Sequence, residues 1–192
     1  MEFVDKFIDF STNLISSGGI PFGILIVMLE SFLPVLPLCV FIALNISAFG
    51  LIIGVLISWI ATCMGCYISY LVFYHLSNDV IYKKLSQKNK KKVERALKSF
   101  KKLSFSGLVV LITLPFTPAF LINILAGLTF VSRRRFLAAL LIGKIFMVIF
   151  WGYIGKSFIE SITDISAIIF ILATVIIAYI ISKIVAKRVN LD

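Results

Sequence analysis

Leu33-Pro34-Val35-Leu36-Pro37 and Leu114-Pro115-Phe116-Thr117-Pro118 are two copies of one pattern, a pair of prolines three residues apart inside a long apolar run. Pro34 and Pro115 are 81 residues apart, as are Pro37 and Pro118, Leu33 and Leu114, Leu44 and Leu125, Phe49 and Phe130, and Leu56 and Leu137. A fixed offset is the mark of an internal repeat. Each proline lacks a backbone donor and disfavours helix in the residue before it. Neither run therefore reads as an unbroken helix. Two readings compete: one kinked span, or a re-entrant hairpin of two half-helices meeting at the Pro-x-x-Pro turn. Broken helices at membrane depth are tolerated where they are buried in protein or line a cavity.

The rest of the composition puts that motif in a membrane. Of 192 residues, 60% are hydrophobic, against roughly 45–50% in soluble domains, and the mean hydropathy is +1.08. A soluble domain of this size cannot bury so much apolar surface. The net charge of +10 then points to an anionic membrane surface rather than to nucleic acid. Cys39, Cys63 and Cys66 lie in apolar stretches and imply no disulfide framework. Glu2, Asp5 and Asp9 surround Lys6, which does not suit the basic start of a signal peptide.

The expected architecture is an all-α polytopic membrane protein, an inverted repeat of re-entrant Pro-x-x-Pro hairpin plus transmembrane helix. Residues 1–19 read as an amphipathic surface helix ended by Gly18 and Gly19. Residues 20–76 form the first repeat, a proline segment followed by a span over Ala48 to Tyr74 with a stripe of Gly50, Gly54, Ala61, Gly65 and Ser69. Such residues let helices approach closely in lipid. Residues 77–104 form a basic amphipathic linker in which Val93, Ala96, Leu97, Phe100 and Leu103 recur at helical spacing. Residues 105–156 form the second repeat, whose span, Phe136 to Ile154, carries Lys144 near its centre. A C-terminal span and basic tail complete the chain over 157–192.

Charge favours hairpins over crossings. The linker, the Arg133-Arg134-Arg135 cluster and the tail hold ten, three and three of the nineteen Lys and Arg residues. If the proline segments return to the side they entered, all three groups are cytoplasmic, as the positive-inside rule asks. The N-terminus then lies on the outer face with Glu160 and Asp164. If the second proline segment crossed instead, Arg133–Arg135 would lie outside. The argument for the first segment is less direct, since acidic residues contribute little to the rule. A hairpin does not cross and a span does, so the second repeat starts on the opposite side from the first. Inverted repeats of this kind hold transporter sites near the midplane, where discontinuous helices meet.

Several residues carry candidate chemistry. Glu30 lies four residues before Pro34 in an apolar run, and an intramembrane carboxylate is a functional candidate by default. The plainer account is a hydrogen bond holding the hairpin tip. Lys144 is positioned to pair with Glu30 or to meet a lipid phosphate, against snorkelling to an interface. Asn45 and Asn123, on the exit arms, suit a headgroup contact or the satisfaction of backbone groups freed by Pro34, Pro37, Pro115 and Pro118. Arg133, Arg134 and Arg135 either set topology or attract anionic lipid headgroups. Cys63-Met-Gly-Cys66 has a redox spacing but lies within a span, where packing is the better reading. His75 is the only histidine, which rules out a multi-histidine metal site. No P-loop, GxSxG or HExxH occurs. No enzyme activity, cofactor or metal is expected.

This ordered set resembles the DedA/VTT superfamily, also called the SNARE-associated Golgi protein family. The resemblance rests on Glu30-Ser-Phe-Leu-Pro34-Val-Leu-Pro37 and on Gly50 through Tyr70. It rests also on Pro115-Phe-Thr-Pro118, Asn123, Gly127, Phe136, Gly143 and Trp151-Gly-Tyr-Ile-Gly155, and covers about residues 20–156. One departure stands out. The family often has an arginine about three residues before the second hairpin's first proline, and here that position is Ile112. The resemblance implies a lipid scramblase or flippase of the plasma membrane, moving a phospholipid or a polyprenyl phosphate, with protons as a coupling ion. Two other readings stay open: an ion- or proton-coupled carrier of a small anion, and a non-transporting membrane scaffold.

Overall fold

The computed structural model describes residues 17–31, 38–76, 87–115 and 117–160, together with residues 173, 176, 177, 179, 180, 183 and 184. The expected N-terminal surface helix, the first proline turn with Pro34 and Pro37, most of the last span and the basic tail lie outside the described residues. The helices are α1 (Ser17–Ser31), α2 (Leu38–Phe49), α3 (Leu51–His75), α4 (Gln87–Lys101), α5 (Phe105–Thr113), α6 (Ala119–Leu128) and α7 (Arg133–Glu160). No strand occurs among the described residues.

Helix boundaries follow the prolines and glycines. α5 starts at Ser104, whose hydroxyl accepts from the Gly107 amide at 3.1 Å, a cap of the usual kind. It stops at Thr113 because Pro115 bars helix in the residue before it. A turn donated by the Thr117 amide to the Leu114 carbonyl (3.3 Å) leads into Pro118, which caps α6. The break expected at Gly18 and Gly19 falls instead inside the first turn of α1, where Gly19 takes φ of 66°. The first long span was expected from Ala48 but begins at Leu51. Gly50 adopts φ of 81° and donates to the Ile46 carbonyl, closing α2. Gly50 is thus a joint, not a member of the small-residue stripe.

Among the described residues, α3 and α7 alone are long and apolar enough to cross a membrane, over Leu51–His75 and Arg133–Gly155. Leu56, Ile60, Met64, Ile68 and Val72 form an exposed stripe along α3, and Leu141, Phe146, Ile149 and Tyr153 one along α7. An apolar surface of that extent is a contact surface for lipid. The other faces pack inward. A side chain at Gly54 would strike the Ile46 backbone, and one at Gly65 the Met28 carbonyl and Ser31. One at Gly127 would strike the Phe73 and Tyr74 backbone. Cys63 and Cys66 are buried and unpaired, and the Cys63 thiol points to the Leu140 carbonyl at 3.8 Å. They pack, as expected. α4 lays Phe100, which is 2% exposed, against the core together with Ala96, Leu97 and Leu103.

Side-chain hydrogen bonds tie the two arms of each broken segment to their neighbours. Asn45, in the second half of α2, donates to the carbonyl of Gly23, midway along α1, at 3.4 Å, and to Ser58 Oγ at 3.1 Å. Arg135, in the first turn of α7, donates to the carbonyl of Leu103, just before α5. Tyr70 on α3 donates to the Val131 carbonyl at 2.6 Å, and its ring stacks on Phe136 at 4.4 Å.

Candidate functional site

Residues flanking the first proline motif and residues of the second line one cavity of about 360 Å³. Its wall takes Glu30 and Ser31 from the end of α1, Leu38 and Cys39 from the start of α2, Pro115 to Phe120 apart from Phe116, and Lys144, Met147 and Trp151 from α7. A volume of that order lies within the range of small-molecule sites, about 300–1,000 Å³.

The polar groups here are unusually short of partners. Lys144 is 2% exposed. Among the described residues its ammonium has one hydrogen bond, to Met147 Sδ at 3.4 Å. A thioether is a weak acceptor for a group with three donors. Burial at this level excludes snorkelling. Ser31 Oγ and Thr117 Oγ1, both on the cavity wall, are buried without a partner. Glu30 sits in the last turn of α1, the end of a helix where a negative charge is disfavoured. It shares the cavity with Lys144, yet among the described residues the two form no ion pair.

A helix N-terminus opens on the same space. α6 begins on the wall, at Ala119 and Phe120 after the cap residue Pro118. First-turn amides lack intrahelical acceptors, and a helix N-terminus carries roughly half a positive charge. Together with Lys144 it offers an oxyanion a cation and free amides in one cavity.

The other sequence-selected residues divide. Pro115 and Pro118 line the cavity. Asn123 is 1% exposed with Nδ2 unpartnered, and it shares a small adjoining void with Thr117, Lys144 and Ile112. Asn45 does not reach the cavity and ties α1, α2 and α3 together. Ile112, 3% exposed, packs against Gly143. The cation beside that void thus comes from α7 instead of from position 112. Arg133, Arg134 and Arg135 stand eleven residues or fewer before Lys144, so the cluster is up to ~16 Å from it along α7. Arg133 lies over the Tyr74 ring at 5.3 Å, with Nη2 3.4 Å from His75 Nε2. Sequence reading had not singled out Ser31, Thr117, Cys39 or Trp151. Ser31 adjoins Glu30 and Thr117 sits within the second proline motif, which was the available signal.

The VTT domain model matches residues 33–157, a stretch that contains both proline motifs and Lys144. The chain is 31% identical over 170 residues to a protein described as uncharacterized membrane protein YhjE of Bacillus subtilis (strain 168), covering 84% of this chain and 78% of the relative. It is 26% identical over 152 residues to uncharacterized protein YqeD of the same organism, covering 78% and 72%. No solved structure matches. The family match takes in the cavity wall from Leu38 to Trp151 but not Glu30, Ser31 or the rest of α1, and the chain belongs to the VTT-domain (DedA) family of membrane proteins.

Proposed function

We propose that this protein is a lipid transporter of the scramblase or flippase type, moving a phosphorylated headgroup between leaflets without nucleotide while the acyl tails stay in lipid. The observation that carries the reading is a buried ammonium, Lys144, bonded among the described residues only to a sulfur, in a cavity onto which the N-terminus of α6 opens. An anionic group entering there gains a cation and free amides at once.

The arrangement of broken helices supports the same reading. α1, α2, α5 and α6 have 15, 12, 9 and 10 residues, each short of the roughly 20 needed to span. The contacts Arg135–Leu103 and Asn45–Gly23 suit segments that return to the side they entered. The positions that two span glycines pack against also follow the 81-residue offset, although the glycines themselves are 78 apart. Gly65 meets Met28 and Ser31, and Gly143 meets Val109 and Ile112; Met28 plus 81 is Val109, and Ser31 plus 81 is Ile112. An inverted pair of re-entrant hairpins in a multi-pass plasma membrane protein, with the linker and C-terminus cytoplasmic, accounts for these relations. Glu30 is the group through which protons would be coupled, and the basic cluster draws anionic lipid to the base of the second hairpin.

Purified protein in liposomes is expected to move a phospholipid or polyprenyl-phosphate reporter between leaflets without nucleotide. Pro115→Ala with Pro118→Ala should slow that movement more than it lowers expression, because these residues shape the cavity and not the core. Exchange at the protein-free rate for phosphatidylethanolamine, phosphatidylglycerol and undecaprenyl phosphate, with and without a proton gradient, would sink the reading. The cavity would then be assigned to a small anion.

A further inference from the structure

Glu30 and Lys144 pose an electrostatic problem that an anion alone does not solve. Had they formed an ion pair, the cavity would be neutral and complete. They instead line one space without pairing, so each carries its own desolvation penalty. A simple anion at Lys144 would share the cavity with the Glu30 carboxylate. A simple cation at Glu30 would share it with the ammonium and the α6 N-terminus. A ligand with both charges meets both.

The wall carries groups for both charges. For an oxyanion it has Lys144, Thr117 and the first-turn amides of α6 at Ala119 and Phe120. For a cation it has the Glu30 carboxylate and Ser31, whose buried Oγ has no partner among the described residues and can accept from an ammonium. Trp151 adds an aromatic wall, a surface suited to alkylammonium groups.

We propose that the cavity takes a zwitterionic phosphate–ammonium group, with the phosphate at Lys144, Thr117 and the α6 N-terminus and the ammonium at Glu30. This rests on the transporter reading for its physiological meaning, but the binding chemistry stands apart from it. The same zwitterion could arrive as a lipid headgroup or as a free molecule.

The test uses detergent-purified full-length protein and soluble probes without acyl chains. Glycerophosphoethanolamine, glycerophosphoglycerol and inorganic phosphate are titrated, with binding read as a rise in Tm. Glycerophosphoethanolamine is expected to act at concentrations roughly tenfold or more below glycerophosphoglycerol, as one charge-assisted hydrogen bond implies. Glu30→Gln should bring the two probes level, and Lys144→Met should weaken both. Equal responses of the unaltered protein, or a preference that survives Glu30→Gln, overturn the proposal. The source is read in liposomes carrying phosphatidylethanolamine or phosphatidylglycerol labelled on an acyl chain, with uptake of glycerophosphoethanolamine followed in parallel. Faster movement of the ethanolamine lipid identifies the headgroup as ligand, and uptake of the soluble probe alone identifies a free zwitterion. Probe preference without lipid movement retires lipid transport and keeps the zwitterion site; lipid movement indifferent to headgroup does the reverse.

Discussion

Replacing the Lys144 ammonium by a methionine side chain of similar length removes a buried charge whose hydrogen bond ends on a sulfur. Lys144→Met is therefore expected to raise the Tm of the purified protein by a few degrees, since ~1 kcal/mol shifts a protein of this size by about 2–4 °C. The same change should abolish lipid movement. Gain of stability with loss of function is the behaviour of a group kept for its ligand; a fall in Tm would show that Lys144 holds the fold together. Its charge was legible in the sequence, as was that of Glu30, because an ionised group interrupting an apolar run is conspicuous. Ser31, Thr117 and Cys39 were not, because small polar side chains within apolar helices are unremarkable until packing shows which of them face a cavity. Asn45 was singled out as a candidate contact for the same reason as Asn123. Only tertiary structure separates the one that binds Gly23 and Ser58 from the one that stays unpartnered beside Lys144.

The second proline pair foretold the break between α5 and α6, since the rules that bar helix before proline are local. Gly50 as a joint was less legible: a glycine among other small residues reads equally well as a packing position, and its φ of 81° is a property of the folded corner. At the start of α7 the three arginines looked alike but differ in role. Arg134 is exposed, while Arg135 donates to the Leu103 carbonyl and ties the start of α7 to the residue just before α5. Arg135→Gln should lower Tm, by about 1 kcal/mol or somewhat more for loss of a hydrogen bond from a charged group. Arg134→Gln should leave Tm unchanged and weaken capture of phosphatidylglycerol vesicles. That weakening should fade between 0.1 and 1 M salt as the screening length falls from roughly 10 to 3 Å. Equal Tm loss for both substitutions would show that the cluster acts as a unit.

Across the whole molecule, the hairpin reading and the charge distribution together predict a definite sidedness. Single cysteines at Gln87, Ser132 and Asn190, in a protein with Cys39, Cys63 and Cys66 replaced, should resist an impermeant thiol reagent in intact cells, while one at Ser161 should be labelled. Labelling at Ser132 from outside would require α5 and α6 to cross, and the hairpin account of the second half would fail. The two halves join their helices differently. Between α2 and α3 the chain has Gly50 alone, whose amide and carbonyl are both engaged, with Ile46 and Gly54. Between α6 and α7 it has four residues, Thr129 to Ser132, and these are held as well: the Thr129, Phe130 and Val131 amides donate to the Leu125, Gly127 and Ala126 carbonyls, and the Val131 carbonyl accepts from Tyr70. With the Trp59 indole on α3 donating to the Leu141 carbonyl on α7, neither corner is free of the frame: a turn of α2 or of α6 would be carried into the two long helices.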